Sequence, residues 1–346
     1  MYAYLRIISF ALSLLCVVSV FSQEFYAINR IWDKAPHNAF TDLIRYEDKF
    51  YCTFREGGGH NPTSESGING KIRILSSKDG VTWKSTALLE KEGMDLRDPK
   101  LSITPDNCLM ILAGGSCYSG DGKLTRRQTQ IAFMNHSEKI TKFIPVNIDP
   151  NIRTEMDWLW RVSWDKKTGR GYGVVVQGDS HKGSKILLVN TSDGVNYQYV
   201  DEINVGEAPN ESTVQFTENE TIRLIVRCEG GDKRGRIGYS EFPYKEWKWF
   251  DLGYRLGGPN IITLPNGKVI IGSRYHPTSA NFPAHTMLYL LKENQELEKC
   301  LQLPSEGDTS YTGFLINNDE LWVSYHSTHE GKTSIYLAKV KLSFFD

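Results

Sequence analysis

Cysteine is scarce in this chain, and its few cysteines follow no metal-binding or disulfide pattern. The 346 residues contain six cysteines. Cys16 lies in an apolar leader, and the other five form no C-x-x-C pair. An odd number of remaining cysteines, without paired spacing, argues against a zinc site and against a dense disulfide framework. We therefore expect no metal and no other cofactor, and most cysteines should pack as small hydrophobic side chains.

An excess of charge of either sign is also absent. The chain has 40 Lys and Arg residues against 41 Asp and Glu residues, a formal net charge of −1. Proteins that bind nucleic acid or anionic membranes usually carry a marked basic excess. The composition therefore predicts neither nucleic acid nor an anionic membrane as a partner.

Long apolar runs are missing except at the amino terminus. Arg6 precedes an apolar run over 7–21, which is shorter than the about 20 residues of a membrane-spanning helix. This pattern, with a cut ahead of Gln23, is typical of a signal peptide. We predict a signal peptide over 1–22, a secreted or periplasmic location, and no membrane attachment after cleavage. No linker divides residues 23–346, so we predict one domain and expect a monomer.

The sequence contains a motif, here called the repeated phrase, that occurs six times. Each copy has a polar or charged opening, an apolar run, a turn, a second apolar run ending near Arg or His, and a third apolar strand. The openings are marked, at steps of 49 to 63 residues, by Asp42, Asp98, Arg161, Glu211, Asn260 and Tyr311. A period of this size filled with short strands is typical of a β-propeller. The sequence therefore predicts an all-β, six-bladed β-propeller.

The strands of each repeat can be placed from their β-branched and aromatic residues. Second strands are predicted over 50–54, 109–112, 173–176, 223–226, 269–271 and 321–324. The last repeat has no outer strand of its own before the chain ends at Asp346. The segment 25–31 is predicted to pair there and close the last blade, which would cover two sheet edges.

In a propeller blade, the start of the first strand and the end of the second strand lie at the same mouth. This rule gathers one set of candidate site residues from the whole chain. The strand starts contribute Asp42, Arg97, Asp98, Trp158, Trp160, Arg161, Glu211 and Tyr311. The strand ends contribute Arg55, Arg227, Arg274 and His326. Several arginines in one pocket suit bidentate binding of a carboxylate, and the two tryptophans suit stacking on a sugar.

Two kinds of motif resemble the sialidase superfamily. The segments 77–83 and 191–197, each with an Asp-Gly turn before an aromatic residue, are similar to its Asp-boxes. Asn210-Glu211-Ser212 followed by Arg227 resembles blade four of exo-α-sialidases, and Ser310-Tyr311 resembles the segment that carries their nucleophile. The resemblance implies that Glu211 activates Tyr311 and that Arg227 binds the carboxylate of sialic acid. It implies an exo-acting glycoside hydrolase that removes a terminal α-linked acidic sugar.

The chain departs from this family in two places. The first arginine of the sialidase triad is replaced by the segment 39–42, so Arg274 is expected to act with Arg227, and Arg55 or Arg161 as helpers. No aspartate occupies the acid/base loop. We expect Asp42 or Asp98 to donate the proton instead, with its pKa raised by burial.

Two alternatives remain open from the sequence. Arg97-Asp98-Pro99 resembles the motif of five-bladed invertase- and arabinanase-like glycosidases. With Glu211 and Asp42, this motif would give three carboxylates for a glycosidase acting on a rhamnose-, arabinose- or uronate-containing glycan. The second alternative is a sugar-binding propeller without catalysis. All three interpretations predict a glycan partner.

Overall fold

The computed structural model describes residues 25–62, 70–179, 183–277 and 282–346. The predicted signal peptide, residues 1–22, lies outside the described residues. None of the helices in the described ranges has the length and hydropathy that crossing a membrane requires. The described chain is all-β, and its sheets have a propeller-like arrangement.

The first strand of the described residues, β1 (Tyr26–Trp32), joins the last sheet. The first sheet follows with β2 (His37–Tyr46), β3 (Lys49–Gly57), β4 (Lys71–Ser77) and β5 (Lys84–Leu89). A sheet of ten strands comes next: β6 (Asp95–Ile103), β7 (Leu109–Tyr118), β8 (Leu124–Gln128), β9 (Gln130–Met134), β10 (Ile144–Pro145), β11 (Asn147–Ile148), β12 (Met156–Trp164), β13 (Gly171–Asp179), β14 (Gly183–Thr191) and β15 (Asn196–Ile203).

Three four-stranded sheets complete the chain. The first of them contains β16 (Pro209–Phe216), β17 (Ile222–Cys228), β18 (Arg236–Ser240) and β19 (Lys248–Asp251). The next contains β20 (Asn260–Thr263), β21 (Val269–Tyr275), β22 (His285–Leu291) and β23 (Leu297–Gln302). The last contains β24 (Ser310–Asn317), β25 (Glu320–Ser327), β26 (Ser334–Lys341) and β1, and a short 3-10 helix follows (Leu342–Phe345). Each predicted second strand lies inside an observed strand.

The ten-stranded sheet consists of two groups of strands joined at one short seam. β8 lies in parallel beside β12, with Arg127 opposite Met156 and Gln128 opposite Asp157. The Arg127 amide donates to the carbonyl oxygen of Glu155 at 2.9 Å. On one side of the seam are β6, β7, β9 and β10, and on the other β13, β14, β15 and β11. Neither β8 nor this seam was predicted from the sequence.

The first and last sheets close the arrangement into a ring. β1 pairs antiparallel with β26, as predicted for the segment 25–31. Trp32, at the end of β1, donates from Nε1 to Glu56 Oε1 in β3 at 2.6 Å, which joins the last sheet to the first. A buried cluster containing Phe54 and Leu75 of the first sheet and Trp322 and Leu337 of the last sheet fills the same junction. The hydrophobic core of the described chain thus lies between neighbouring sheets.

Five of the six predicted opening motifs fold as β-bulges, on strands that form an inner ring. β2, β6, β12, β16, β20 and β24 contact one another around a ring. In five of them the register gains one residue, next to positions 40, 98, 160, 210 and 311. Phe40, Asp98 and Tyr311 have positive φ angles of 65°, 51° and 56°. Bulges re-aim side chains and are common beside active sites. Here they direct side chains from several strands to the axis.

Candidate active site

A small cavity lies among residues of four strands of this ring, β6, β12, β16 and β24. Its volume is about 250 Å³, and charged and aromatic residues from different strands line it. The lining residues are His60, Asn61, Arg97, Asp98, Ser116, Tyr118, Arg127, Trp158, Asn210, Glu211, Arg227 and Tyr311. Six of the predicted site residues are among them: Arg97, Asp98, Trp158, Glu211, Arg227 and Tyr311.

Tyr311 and Glu211 are hydrogen-bonded at this cavity. Tyr311 Oη donates to Glu211 Oε1 at 2.7 Å, although the two residues are 100 positions apart. Both side chains are buried. Burial, and then the charge of Glu211, raises the pKa of the Tyr311 phenol. The phenol is therefore protonated at neutral pH, and Glu211 is the acceptor positioned to take its proton.

Two further donors keep Glu211 ionised. Arg227 Nη1 donates to Glu211 Oε2 at 2.8 Å and to Tyr311 Oη at 3.3 Å. The amide of Gly258 donates to Glu211 Oε2 at 2.7 Å. Burial opposes ionisation, but Arg227 and the hydrogen bonds from Tyr311 and Gly258 outweigh it, and the pKa of Glu211 is lowered. The arrangement joins a buried base to a protonated nucleophile.

Gly258 is required by the packing around Tyr311. Its φ angle is +58°, in the left-handed region that favours glycine. A Cβ atom on Gly258 would lie 2.5 Å from Tyr311 Cγ. Phe40 packs on the Tyr311 ring from another direction, with ring centroids 4.9 Å apart. A turn and a separate strand therefore hold the ring that carries the hydroxyl group.

Asp98 is a buried acid at the same cavity. Burial raises its pKa, against the attraction of Arg97 and Lys100. Arg97 Nε donates to Asp98 Oδ2 at 3.1 Å. Asp98 Oδ1 is buried without a hydrogen-bond partner among the described residues. A protonated carboxyl group with an unpartnered oxygen can donate a proton to a ligand in the cavity.

Lys100 is a buried cation that was not among the site residues predicted from the sequence. Its Nζ lies 4.5 Å from the centroid of the Trp160 ring and 6.0 Å from that of Tyr311. It donates to the carbonyl oxygen of Pro99 at 3.2 Å. Burial, and then the charge of Arg161, lowers the pKa of Lys100 to about 8. Trp160 itself is buried against this ammonium group and does not line the cavity.

Arg274 and His326 belong to a neighbouring network around Asp308. Arg274 Nη2 donates to Asp308 Oδ1 at 3.0 Å, and His326 Nε2 lies 3.4 Å from the same oxygen. His37 Nε2 and His60 Nδ1 lie 2.8 and 2.7 Å from Asp308 Oδ2. Burial opposes ionisation, but the histidine hydrogen bonds hold the pKa of Asp308 below its usual range. By residue type His37, His60 and Asp308, with ligand atoms within 4.8 Å of one another, could hold a metal ion.

His326 serves the backbone of the first bulge. Its Nδ1 accepts a hydrogen bond from the amide of Phe40 at 3.1 Å, so Nε2 carries the ring hydrogen and faces Asp308. Burial lowers the pKa of His326 to about 4, and the ring is therefore neutral at pH 7. Within the structure His326 positions Phe40, and it is not among the residues that line the cavity.

Asp42 and Arg161 are not brought to the Tyr311 cavity. Arg161 Nη1 donates to Asp42 Oδ2 at 2.9 Å, and the Leu101 amide donates to the same oxygen at 2.8 Å. Both side chains line a different cavity of about 570 Å³, bounded also by Trp164. The bulge explains the position of Asp42, because the β2 side chain that packs on the Tyr311 ring is that of Phe40, two positions earlier.

Arg55 is also held away from the cavity. Its Nε and Nη2 donate to Asp95 Oδ1 at 3.0 and 2.7 Å, and its Nη1 donates to the carbonyl oxygen of Gly59 at 2.8 Å. Arg55 and Asp95 are 1% and 0% exposed. This buried pair has the geometry of an internal structural contact between β3 and β6 rather than of a ligand site.

The comparisons with known proteins give a fold and no family. No protein-family model matches the chain, and no curated protein matches its sequence. A Dyadobacter fermentans protein of unknown function is structurally similar at 17% identity, with a TM-score of 0.75 and coverage of 92% of this chain and 98% of that chain.

Glycoside hydrolases are also among the structural neighbours. A Penicillium chrysogenum α-L-arabinanase complexed with arabinobiose has a TM-score of 0.68 at 14% identity, over 91% of this chain and 98% of that chain. A variant of Trypanosoma rangeli sialidase that displays trans-sialidase activity has a TM-score of 0.65 at 13% identity, over 91% of this chain. The present chain covers 58% of that sialidase chain. The neighbours therefore place this chain among propeller-like folds that include glycosidases.

Proposed function

We propose that this protein is a retaining exo-glycosidase that removes a terminal α-linked acidic sugar from a glycan. The observation that carries the proposal is the 2.7 Å hydrogen bond from buried Tyr311 to Glu211 at this cavity. A protonated phenol beside an ionised carboxylate is a nucleophile with its base. Asp98, whose pKa is raised at the same cavity, supplies the acid.

The first step forms a glycosyl–tyrosine bond. Tyr311 Oη attacks the anomeric carbon, and its proton passes to Glu211 Oε1. The bond from the anomeric carbon to the leaving oxygen breaks, and that oxygen takes the proton of Asp98. Arg227, 3.3 Å from Tyr311 Oη, stabilises the negative charge that develops on the phenol oxygen.

The second step releases the sugar. A water molecule attacks the anomeric carbon and gives a proton to the Asp98 carboxylate. The bond to Tyr311 breaks, and the phenol oxygen takes its proton back from Glu211. Two displacements at one carbon leave the anomeric configuration unchanged.

The charges and the size of the cavity support an acidic terminal sugar. Arg97, Arg127 and Arg227 line it, against the carboxyl groups of Asp98 and Glu211. A volume of about 250 Å³, below the ~300–1,000 Å³ of drug-sized pockets, suits one sugar unit and hence action at a chain end.

The architecture and location complete the proposal. We interpret the ten-stranded sheet as two blades joined at the β8–β12 seam, which gives six blades in all. The leader over 1–22 motivates a secreted or periplasmic location. A glycosidase that uses Asp42, Asp98 and Glu211 on another sugar is less supported, because Asp42 lines a different cavity.

The test is hydrolysis of an aryl α-sialoside by the wild-type protein and by Tyr311→Phe and Glu211→Gln variants. Each substitution should lower kcat at least ~100-fold, since the nucleophile or its base is lost. Tyr325→Phe, a buried tyrosine outside the cavity, is the matched control and should retain activity. Wild-type-like rates in both site variants would rule out the tyrosine mechanism. Retention of sialosides on a glycan array without cleavage would indicate a binding protein instead.

A further inference from the structure

Two histidine nitrogens converge on one carboxylate oxygen of Asp308. His37 Nε2 lies 2.8 Å from Asp308 Oδ2, and His60 Nδ1 lies 2.7 Å from the same oxygen. The two imidazole planes are inclined at 80° with their centroids 5.8 Å apart, so the rings approach this oxygen from different directions. Two imidazole nitrogens and a carboxylate oxygen form a ligand set that Zn²⁺ and similar transition-metal ions use in proteins.

Hydrogen bonds from other residues fix the orientation of Asp308. Its Oδ1 accepts a hydrogen bond from Arg274 Nη2 at 3.0 Å and lies 3.4 Å from His326 Nε2. Its main-chain carbonyl oxygen accepts one from Thr328 Oγ1 at 3.1 Å. Contacts of this kind orient the carboxylates that bind metal ions. Oδ1 is thus engaged by Arg274, and Oδ2 is the oxygen presented to the two histidines.

Closure of the ring brings the three residues together. His37 begins β2 and His60 follows β3 in the first sheet, whereas Asp308 precedes β24 in the last sheet. The two histidines are 271 and 248 positions from Asp308, so no local spacing in the sequence indicates the cluster. The amide and the side chain of Asn38 donate to the carbonyl oxygen of Thr333 at 3.2 and 2.9 Å. These bonds hold the start of β2 against the last sheet.

The cluster can accept an ion after small movements. The three ligand atoms lie within 4.8 Å of one another. Zinc bonds of about 2.0–2.2 Å place tetrahedral ligand atoms roughly 3.3–3.5 Å apart, so each nitrogen would retreat from Asp308 Oδ2 by roughly 0.5–0.8 Å. The His60 side chain is 41% exposed, which gives this ring room to move and gives the ion a route from solvent.

We propose that His37, His60 and Asp308 bind one divalent transition-metal ion such as Zn²⁺. The inference goes beyond the proposed function and does not depend on it, because neither Tyr311 nor Glu211 is a ligand of the ion. Three protein ligands leave a fourth tetrahedral position. Because His60 also lines the Tyr311 cavity, we expect the ion at the edge of that cavity, with this position open to water or to an oxygen atom of a ligand.

The experiment is a calorimetric titration of chelator-treated wild-type protein with Zn²⁺ and, separately, with Mg²⁺. We expect one Zn²⁺ per chain and at least ~100-fold weaker binding of Mg²⁺, which prefers oxygen ligands. His60→Gln and Asp308→Asn should each weaken Zn²⁺ binding at least ~100-fold, because each removes a ligand, and even the loss of a residue that orients a ligand costs about 10- to 100-fold.

His136→Gln is the matched control. His136 Nδ1 lies 2.7 Å from Glu47 Oε1, so this pair also combines an imidazole with a carboxylate. The pair belongs to no group of three possible ligands among the described residues. The substitution should therefore leave the affinity for Zn²⁺ unchanged.

Two results would overturn the inference: wild type that takes up no Zn²⁺, or site variants that bind Zn²⁺ as tightly as wild type. The melting temperature of each variant reports folding. His60→Gln keeps the test decisive if Asp308→Asn fails to fold, because it leaves the bond from Arg274 to Asp308 in place. Hydrolysis of the aryl sialoside is measured separately. Normal Zn²⁺ binding without hydrolysis would support the metal site and count against the proposed function alone.

Discussion

Two carboxyl groups at the Tyr311 cavity have their pKa values moved in opposite directions. Arg227 and hydrogen bonds lower the pKa of Glu211, whereas burial raises that of Asp98. In the proposed mechanism Glu211 must be ionised and Asp98 protonated. Activity should therefore fall as the pH drops through the lowered pKa of Glu211 and as it rises through the raised pKa of Asp98. The opposite shifts open a window in which both forms coexist.

Lys100 should set the position of that window. Its positive charge lowers the pKa of Asp98 and interacts with Glu211. Lys100→Met should therefore move both limbs of the kcat/KM profile to higher pH by roughly half to one unit. The measurement is the full pH profile, which separates a change of charge from a change of packing.

Lys100→Arg provides the control for this prediction. It keeps the positive charge, so its limbs should stay at the wild-type pH even if the larger side chain lowers the rate. Coincident profiles of Lys100→Met and wild type would contradict the proposed electrostatic role. The expected result would assign a function to a buried cation that contacts the aromatic rings of Trp160 and Tyr311.

Among the elements, the turn before β20 has the most direct effect on the site. Gly258→Ala would place a Cβ atom 2.5 Å from Tyr311 Cγ at a φ angle of +58°. We expect a loss of roughly 1–3 kcal/mol in the free energy of unfolding and at least a tenfold loss of kcat, because the ring and the Gly258 amide both position the Tyr311–Glu211 pair. Thermal unfolding and hydrolysis rates measure the two effects.

Gly253→Ala separates backbone strain from the contact with Tyr311. Gly253 also has a positive φ angle, +74°, but no described atom outside Gly253 and its two chain neighbours lies within 4 Å of the point that an added Cβ atom would occupy. This substitution should lower stability by a similar backbone cost and leave kcat unchanged. Equal losses of activity in both variants would show that the effect of Gly258→Ala comes from general destabilisation.

The elements also explain which site residues could be found from the sequence. Tyr311 and Glu211 lie near the starts of strands in the repeated phrase, so the phrase predicted that both residues lie at the same end of the propeller. The extra residue of each bulge shifts the direction of the side chains, and it separates Asp42 from Phe40. Arg127 lies on β8, which follows no repeat, and its position depends on pairing with β12. The spacing of the repeats in the sequence predicts neither the shift caused by a bulge nor the position of Arg127.

For the molecule as a whole, ring closure depends on the junction between the last and first sheets. Trp32→Phe removes the hydrogen bond from Nε1 to the Glu56 carboxylate. We expect a loss of about 1.5–3 kcal/mol in the free energy of unfolding, typical of a hydrogen bond to a charged group, with unchanged kcat, since Trp32 does not line the cavity. Denaturant unfolding and the hydrolysis assay test this expectation.

Tyr26→Phe is the matched control for the closure. Tyr26 lies at the other end of β1 and pairs with Val340, so the substitution removes a hydroxyl group while the strand and its ring remain. It should unfold close to wild type. Equal stabilities of Trp32→Phe and wild type would show that the β1–β26 pairing and the buried cluster suffice to close the ring.

The sequence by itself determined the second strand of each repeat, the all-β class and the pairing of the amino-terminal segment with the last sheet, because strand periodicity and turn residues are local signals. Its repeated phrase also placed Tyr311, Glu211 and Arg227 together. Only the tertiary structure decided which charged groups meet. It separated Asp42 from the cavity and brought Lys100 and Arg127 to its surroundings, because bulge register, burial and contacts between distant strands arise only when the ring is closed.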